Sequence, residues 1–238
     1  KKIMSFGLVI ISLSNIILVS APVYYILVLA HIPAGIGWGS SGPIGGIHAQ
    51  LIEKHSGKII SPYYAMGFNI GIFIGGILAG LILGNAMNPA FVFSILFLTS
   101  IFVAIVIYIN GLPNDLDFKG QGEKIKIPER SVLIFGFLLF VIFGSNGIII
   151  DWSALWFTEE LNAPLYLASL GLIFLSCGGI FANLFSNQLI NLFSEKIVGC
   201  YFVIIGSIIL FTSIIIGNFY FILITFLIYG FLTANLVP

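Results

Sequence analysis

Eight apolar runs fill nearly the whole sequence, separated by short breaks. They cover 4–19, 23–51, 60–83, 89–108, 131–157, 165–187, 197–217 and 219–236. A helix needs about 20 apolar residues to cross the ~30 Å hydrocarbon core of a bilayer. Strands are excluded: the runs are too long, and an open sheet in lipid would leave backbone groups unpaired. The expected fold class is all-α, a polytopic membrane protein with about eight transmembrane helices. The second and fifth runs are the longest, so each is expected to tilt, break or extend into the interface. Composition agrees. Of 238 residues, 59% are hydrophobic and 8% charged, and the mean hydropathy is +1.16. A soluble domain carries about a quarter charged residues.

The one long polar passage is GLPNDLDFKGQGEKIKIPER, residues 111–130. It divides the chain into a bundle of four runs at 1–110, a central loop at 111–130 and a second bundle of four at 131–238. Threading eight spans from Lys1 and Lys2 places the breaks at 52–59, 111–130 and 188–196 on the same side as those two lysines. That side then holds all nine basic residues: Lys1, Lys2, Lys54, Lys58, Lys119, Lys124, Lys126, Arg130 and Lys196. The opposite breaks hold none. Basic residues near span ends stay on the cytoplasmic side, so the Lys1 end and the central loop are expected in the cytoplasm of a multi-pass protein of the inner membrane. Losing one span would spoil this sorting, which supports the count.

Other chemistry is sparse. Cys177 and Cys200 fall inside apolar runs and read as small packed residues. His31, His48 and His55 show no ligand-like spacing with Cys, Asp or Glu, so neither a metal site nor another cofactor is expected. The formal net charge is zero, and no nucleic-acid partner is expected. The expected partners are the lipid bilayer, a small-molecule solute and protons. The sequence starts Lys-Lys-Ile and stops at Pro238 within an apolar run, so a fragment is expected.

Polar residues inside a span are costly and therefore candidate functional groups. His31 lies about a third of the way along the second run, and a histidine can exchange a proton near neutral pH. Asp151 is the one acid inside an apolar run. It follows GSNGIII, in which Gly144 and Gly147 bracket Ser145 and Asn146, where a helix break would expose backbone groups to a water-filled cavity. Asn146, Asp151 and Trp152 together offer hydrogen-bonding groups and a flat apolar face, which suit a sugar. Asn69 is a further candidate for lining the pathway, as are Asn15 and Asn183. In the third run Gly67, Gly71 and Gly75, then Gly76, Gly80 and Gly84, step by four. Such rows let helices approach closely in lipid.

The second run, HIPAGIGWGSSGPIGGIHAQ (31–50), resembles the fourth helix of the major facilitator superfamily of secondary transporters. His31, Gly35, Gly37, Gly39 and Pro43 stand at that helix's spacings, with His31 where the family commonly has Arg. GFNIGIFIGGILAG (67–80) is similar to its glycine-rich fifth helix, where the position of Asn69 often faces the cavity. ANLFSNQLINLFSEK (182–196) resembles a decayed form of its cytoplasmic motif, with Asn187, Gln188 and Lys196 in place of the charged residues. DWSALWF (151–157) resembles a segment of a branch related to fucose-type sugar permeases. The resemblance implies a two-bundle fold of twelve helices, of which this chain would supply helices three to ten.

The expected function is secondary active transport by alternating access, of a small solute such as a sugar, with proton coupling. Efflux of a drug or metabolite is the alternative within the same superfamily, and a non-transporting receptor is the alternative on the same fold. A membrane enzyme would need converging catalytic groups. One Asp and one His in different halves do not supply them, so no enzymatic activity is expected.

Overall fold

The computed structural model describes residues 1–112, 129–194 and 197–234. Most of the expected central loop, with Lys119, Lys124 and Lys126, lies outside the described residues, as does Lys196. The described chain is helical: α1 (Lys2–Ser20), α2 (Tyr24–Ser56), α3 (Ser61–Gly84), α4 (Pro89–Asn110), α5 (Arg130–Glu159), α6 (Leu170–Leu184), α7 (Ser186–Phe193), α8 (Phe202–Ile216) and α9 (Phe219–Thr233). A 3-10 turn at Leu165–Leu167 precedes α6, and a π-helical turn at Ile197–Tyr201 leads into α8.

Local chemistry sets the ends. Asn88 caps α4 by accepting a hydrogen bond from the backbone of Ala90 at 2.9 Å, with Pro89 in the first turn. Asn218 caps α9 by accepting from Phe221 N–H at 3.1 Å. Short polar side chains suit such positions because they satisfy an orphan N–H of the first turn. Gly57 ends α2 and Gly217 ends α8, both in the left-handed region at φ +66 and +65. Glycine reaches that region without a Cβ clash.

Among the described residues each of the eight expected runs is helical. Among the described residues five segments are long and apolar enough to cross a membrane: Lys2–Ser20, Ser61–Gly84, Pro89–Asn110, Leu165–Leu184 and Ile197–Ile216. Large apolar side chains such as Phe91, Phe102 and Phe211 are exposed along these helices, as expected of surfaces that face lipid. Of the tilt, break or extension expected of the two longest runs, no break forms. The fifth run does not break at Gly144–Gly147; α5 continues through it for 30 residues. The second run does not break at its prolines either, and α2 is continuous over 33 residues with Pro33 and Pro43 inside it. A proline deletes one backbone hydrogen bond, and packing against α1 holds the flanking turns in line. The sixth run ends at Leu184 instead of Asn187. Phe185 departs from helical geometry, and the connection that follows forms the separate helix α7, which buries Ser186 and Leu189.

The described helices form two compact units. One holds α1, α2 and α4. There α1 packs on both α2 and α4. The α1–α2 crossing is close: a Cβ on Gly37 would overlap Ile11 and the Gly7 carbonyl, and one on Gly7 would overlap Ser40. The buried side of α2 carries Ala30, Ala34, Gly37, Gly45 and Ala49, small residues that let the backbones meet.

The other unit holds α3 and α5–α9. Its core is Ile149, Phe157, Leu175, Ile222, Leu223, Phe226 and Tyr229. Phe157 is fully buried; it stacks on Phe226 at 5.8 Å and meets Phe219 edge-on at 5.1 Å. α6 is the hub. A Cβ on Gly178 would overlap the backbone at Leu227, and one on Gly230 would overlap the Leu175 carbonyl. Both glycines thus hold α6 and α9 at backbone contact.

Candidate functional site

The second unit brings together the most polar chemistry within apolar helices. α3 lies antiparallel along α6, and residue numbers rise on one as they fall on the other. The Asn69 side chain rests on Gly179, Gly76 on Ile173, Gly80 on Ser169 and Gly84 on Tyr166. Positions 69, 76, 80 and 84 repeat at helical spacing, so they form one face of α3. Of the two glycine rows only the second packs: a Cβ on Gly67, Gly71 or Gly75 would meet nothing within 4 Å. The Asn69 amide donates to the Ala65 carbonyl one turn back, at 3.2 Å. A Cβ on Gly179 would lie within 2.7 Å of the Asn69 amide, so the glycine makes room for it. Toward the α3 C-terminus a cleft of about 360 Å³ lies beside this contact, lined by Gly80, Gly84, Asn85, Tyr166, Ser169 and Ile173 among others.

The α5 candidates lie apart from its buried face. That face carries Ile149, Ser153 and Phe157, spaced by four. Asp151 and Trp152 are exposed, and Asn146 is half-buried. Trp156, one turn beyond Trp152, packs partly on the core. Ser153 was not singled out by sequence reasoning. It is 3% exposed, it faces Gly171, and its hydroxyl has no hydrogen-bond partner among the described residues. Asn183 on α6 is 4% exposed, and its amide nitrogen has no partner among the described residues. The signal for Ser153 was present in the sequence, as a small polar residue in register with Ile149 and Phe157.

In the first unit His31 is exposed on α2. Its Nδ1 lies 2.8 Å from the Leu27 carbonyl on the same helix. A carbonyl oxygen only accepts, so Nδ1 carries the proton of that bond. Nε2 is then the nitrogen left to accept or release a proton. Ser40 and Ser41 both donate to the Gly37 carbonyl, at 3.1 and 2.7 Å, close to the stretch where Pro43 withholds an N–H. Among the described residues no three His, Cys, Asp or Glu side chains converge as a metal would need.

Long apolar helices joined at glycine contacts, with isolated polar side chains along them, define a polytopic membrane protein. The sequence profile of the Major Facilitator Superfamily matches residues 1–238, and the chain belongs to that family of transporters. It is similar to an uncharacterized MFS-type transporter of Yersinia pestis, at 26% identity over 204 residues. The aligned part is 81% of this chain and 50% of that protein, so the chain spans about half the length of the curated relative it matches. No solved structure matches. Family membership points to a transporter rather than an enzyme.

Proposed function

We propose that this protein is a secondary transporter that moves a small, neutral or weakly charged solute by alternating access. The observation that carries the reading is the contact between α3 and α6. By sequence α3 belongs to the first bundle (1–110) and α6 to the second (131–238), yet both lie in one compact unit, where they meet through Gly76, Gly80, Gly84 and Gly179. A seam of small residues has no interlocking side chains to break, so α3 can slide or part from α6 at low cost during a transport cycle. Asn69 sits on this seam and belongs to the solute path. Asn146, Asp151 and Trp152 on α5 supply hydrogen-bonding groups and an indole face, the chemistry that binds sugar hydroxyls and the sugar's C–H side. His31, with Nε2 directed away from its own helix bond, is the proton-coupling group. The Lys1 end and the central loop face the cytoplasm, and the membrane is the inner one. The weakly polar lining of the cleft beside Tyr166 favours a second reading, efflux of a less polar drug or metabolite.

The test uses the full-length protein in liposomes with a pH dye inside. Neutral sugars are added to the wild type, to His31→Ala and to Asp151→Asn. The expected result is a sugar-dependent pH change that either substitution abolishes. Uptake without a pH change would remove His31 from coupling. No response to any sugar would sink the sugar reading and leave efflux as the reading to screen.

A further inference from the structure

A second polar recess lies at the far end of α2, away from the groups assigned to transport. At 1.5 Å per residue, a 33-residue helix is about 50 Å long, well beyond the ~30 Å hydrocarbon core. Its last turns therefore extend to the level of the lipid headgroups. There the chain reads Gln50-Leu-Ile-Glu-Lys-His-Ser-Gly-Lys-Ile59. Gly57, at φ +66, closes the helix through its N–H to the Glu53 carbonyl at 2.9 Å. That turn folds Lys58 back beside Lys54, and Gln50, Glu53, Lys54, Gly57, Lys58 and Ile59 line a cleft of about 510 Å³.

The charge balance of this cleft is uneven. The Ser61 hydroxyl donates to the Glu53 carboxylate at 2.5 Å, which draws part of its negative charge to one side. Ser56 Oγ accepts from the Lys58 backbone N–H at 3.3 Å, which steadies the turn. His55 Nδ1 faces the Leu51 carbonyl of its own helix at 3.3 Å. Among the described residues, neither the Lys54 nor the Lys58 ammonium is ion-paired. Ile59 lines the same cleft and is exposed beside them. Two unpaired cations next to an exposed apolar side chain, at headgroup depth, match one kind of occupant: an anion with a hydrocarbon body.

We propose that this cleft binds the phosphate of an anionic phospholipid, with Lys54 and Lys58 as the cationic arms and Ile59 against the start of the acyl chains. Lysines near a membrane surface attract anionic headgroups electrostatically. Here the turn at Gly57 brings two of them to one place. The site rests neither on the identity of the solute nor on which leaflet the cleft faces.

The test is phosphatidylglycerol binding to the full-length protein in mild detergent, read by native mass spectrometry. Lys54→Gln/Lys58→Gln is compared with the wild type and with Lys124→Gln/Lys126→Gln, which removes the same charge elsewhere. The cleft variant is expected to bind about thirtyfold more weakly, while the loop variant stays close to wild type. Lys54→Arg/Lys58→Arg is expected to restore binding, which separates loss of charge from loss of folding. Glu53→Gln is expected to bind at least as tightly as wild type. Excess inorganic phosphate is expected to leave the lipid bound. Equal losses in both glutamine variants, or no loss in the cleft variant, would overturn the proposal. So would failure of the arginine variant to rescue, weaker binding by Glu53→Gln, or displacement of the lipid by inorganic phosphate.

Discussion

Ser153 and Ser194 show how single residues are held at a cost. The Ser153 hydroxyl is buried on α5 without a partner. An unsatisfied buried polar atom costs about 1–3 kcal/mol, so Ser153→Ala is expected to stabilise the protein by about 1 kcal/mol. Thermal unfolding in detergent checks this, and a fall in melting temperature would show that the hydroxyl has a partner in solution. Ser194 lies at φ +66 and ψ 154, a region nearly reserved for glycine that costs about 1–3 kcal/mol for other residues. Ser194→Gly is expected to raise stability by about 1 kcal/mol, net of the extra freedom glycine gives the unfolded chain. The same unfolding measurement reads it, and an unchanged transition would mean that the turn relaxes in the membrane. Ser153's register with Ile149 and Phe157 was legible in the sequence. Its missing partner was not, because a hydroxyl's partners are set by neighbouring helices.

At the scale of the helix, identical residues carry different loads. Gly178 on α6 sits against the backbone of α9, and Gly71 on α3 faces open space. Adding side chains at a packed crossing costs about 1–3 kcal/mol and more when the obstacle is backbone. Gly178→Val is therefore expected to lose the folded second unit, seen as aggregation on size-exclusion chromatography. Gly71→Ala is expected to be neutral or to gain up to about 1 kcal/mol from helix propensity. Equal behaviour of the two variants would contradict the packing described above. The sequence showed two glycine rows on α3 as equals. Which row packs depends on the rotation of α3 against α6, and both rows satisfy the same spacing. The continuity of α5 through Gly144–Gly147 was likewise hidden, because glycine permits a break without requiring one.

For the whole molecule, the α3–α6 seam gives a direct test of alternating access. A Cβ built on Gly84 lies 3.3 Å from Cβ of Tyr166, close to the ~3.5–4.5 Å separation of a disulfide. With Cys177 and Cys200 replaced by Ser, Gly84→Cys/Tyr166→Cys is expected to crosslink on mild oxidation. Transport is then expected to stop, and to return on reduction. Full transport by the oxidised protein would rule out opening of this seam as part of the cycle.

The sequence by itself determined that the chain is helical and lives in a membrane. Eight apolar runs and 8% charge leave no other way to satisfy the backbone, since the hydrogen bonds of a helix close within each run. The family was also legible, from the spacing of His31, Gly35, Gly37, Gly39 and Pro43 on one run. Only the tertiary structure decided which small residues touch, that Asn69 lies on Gly179, and that Asp151 and Trp152 point away from the core that Phe157 anchors. Helical periodicity fixes which residues share a face. It leaves free the choice of neighbour for that face, and in lipid, where every face is apolar, shape alone makes that choice.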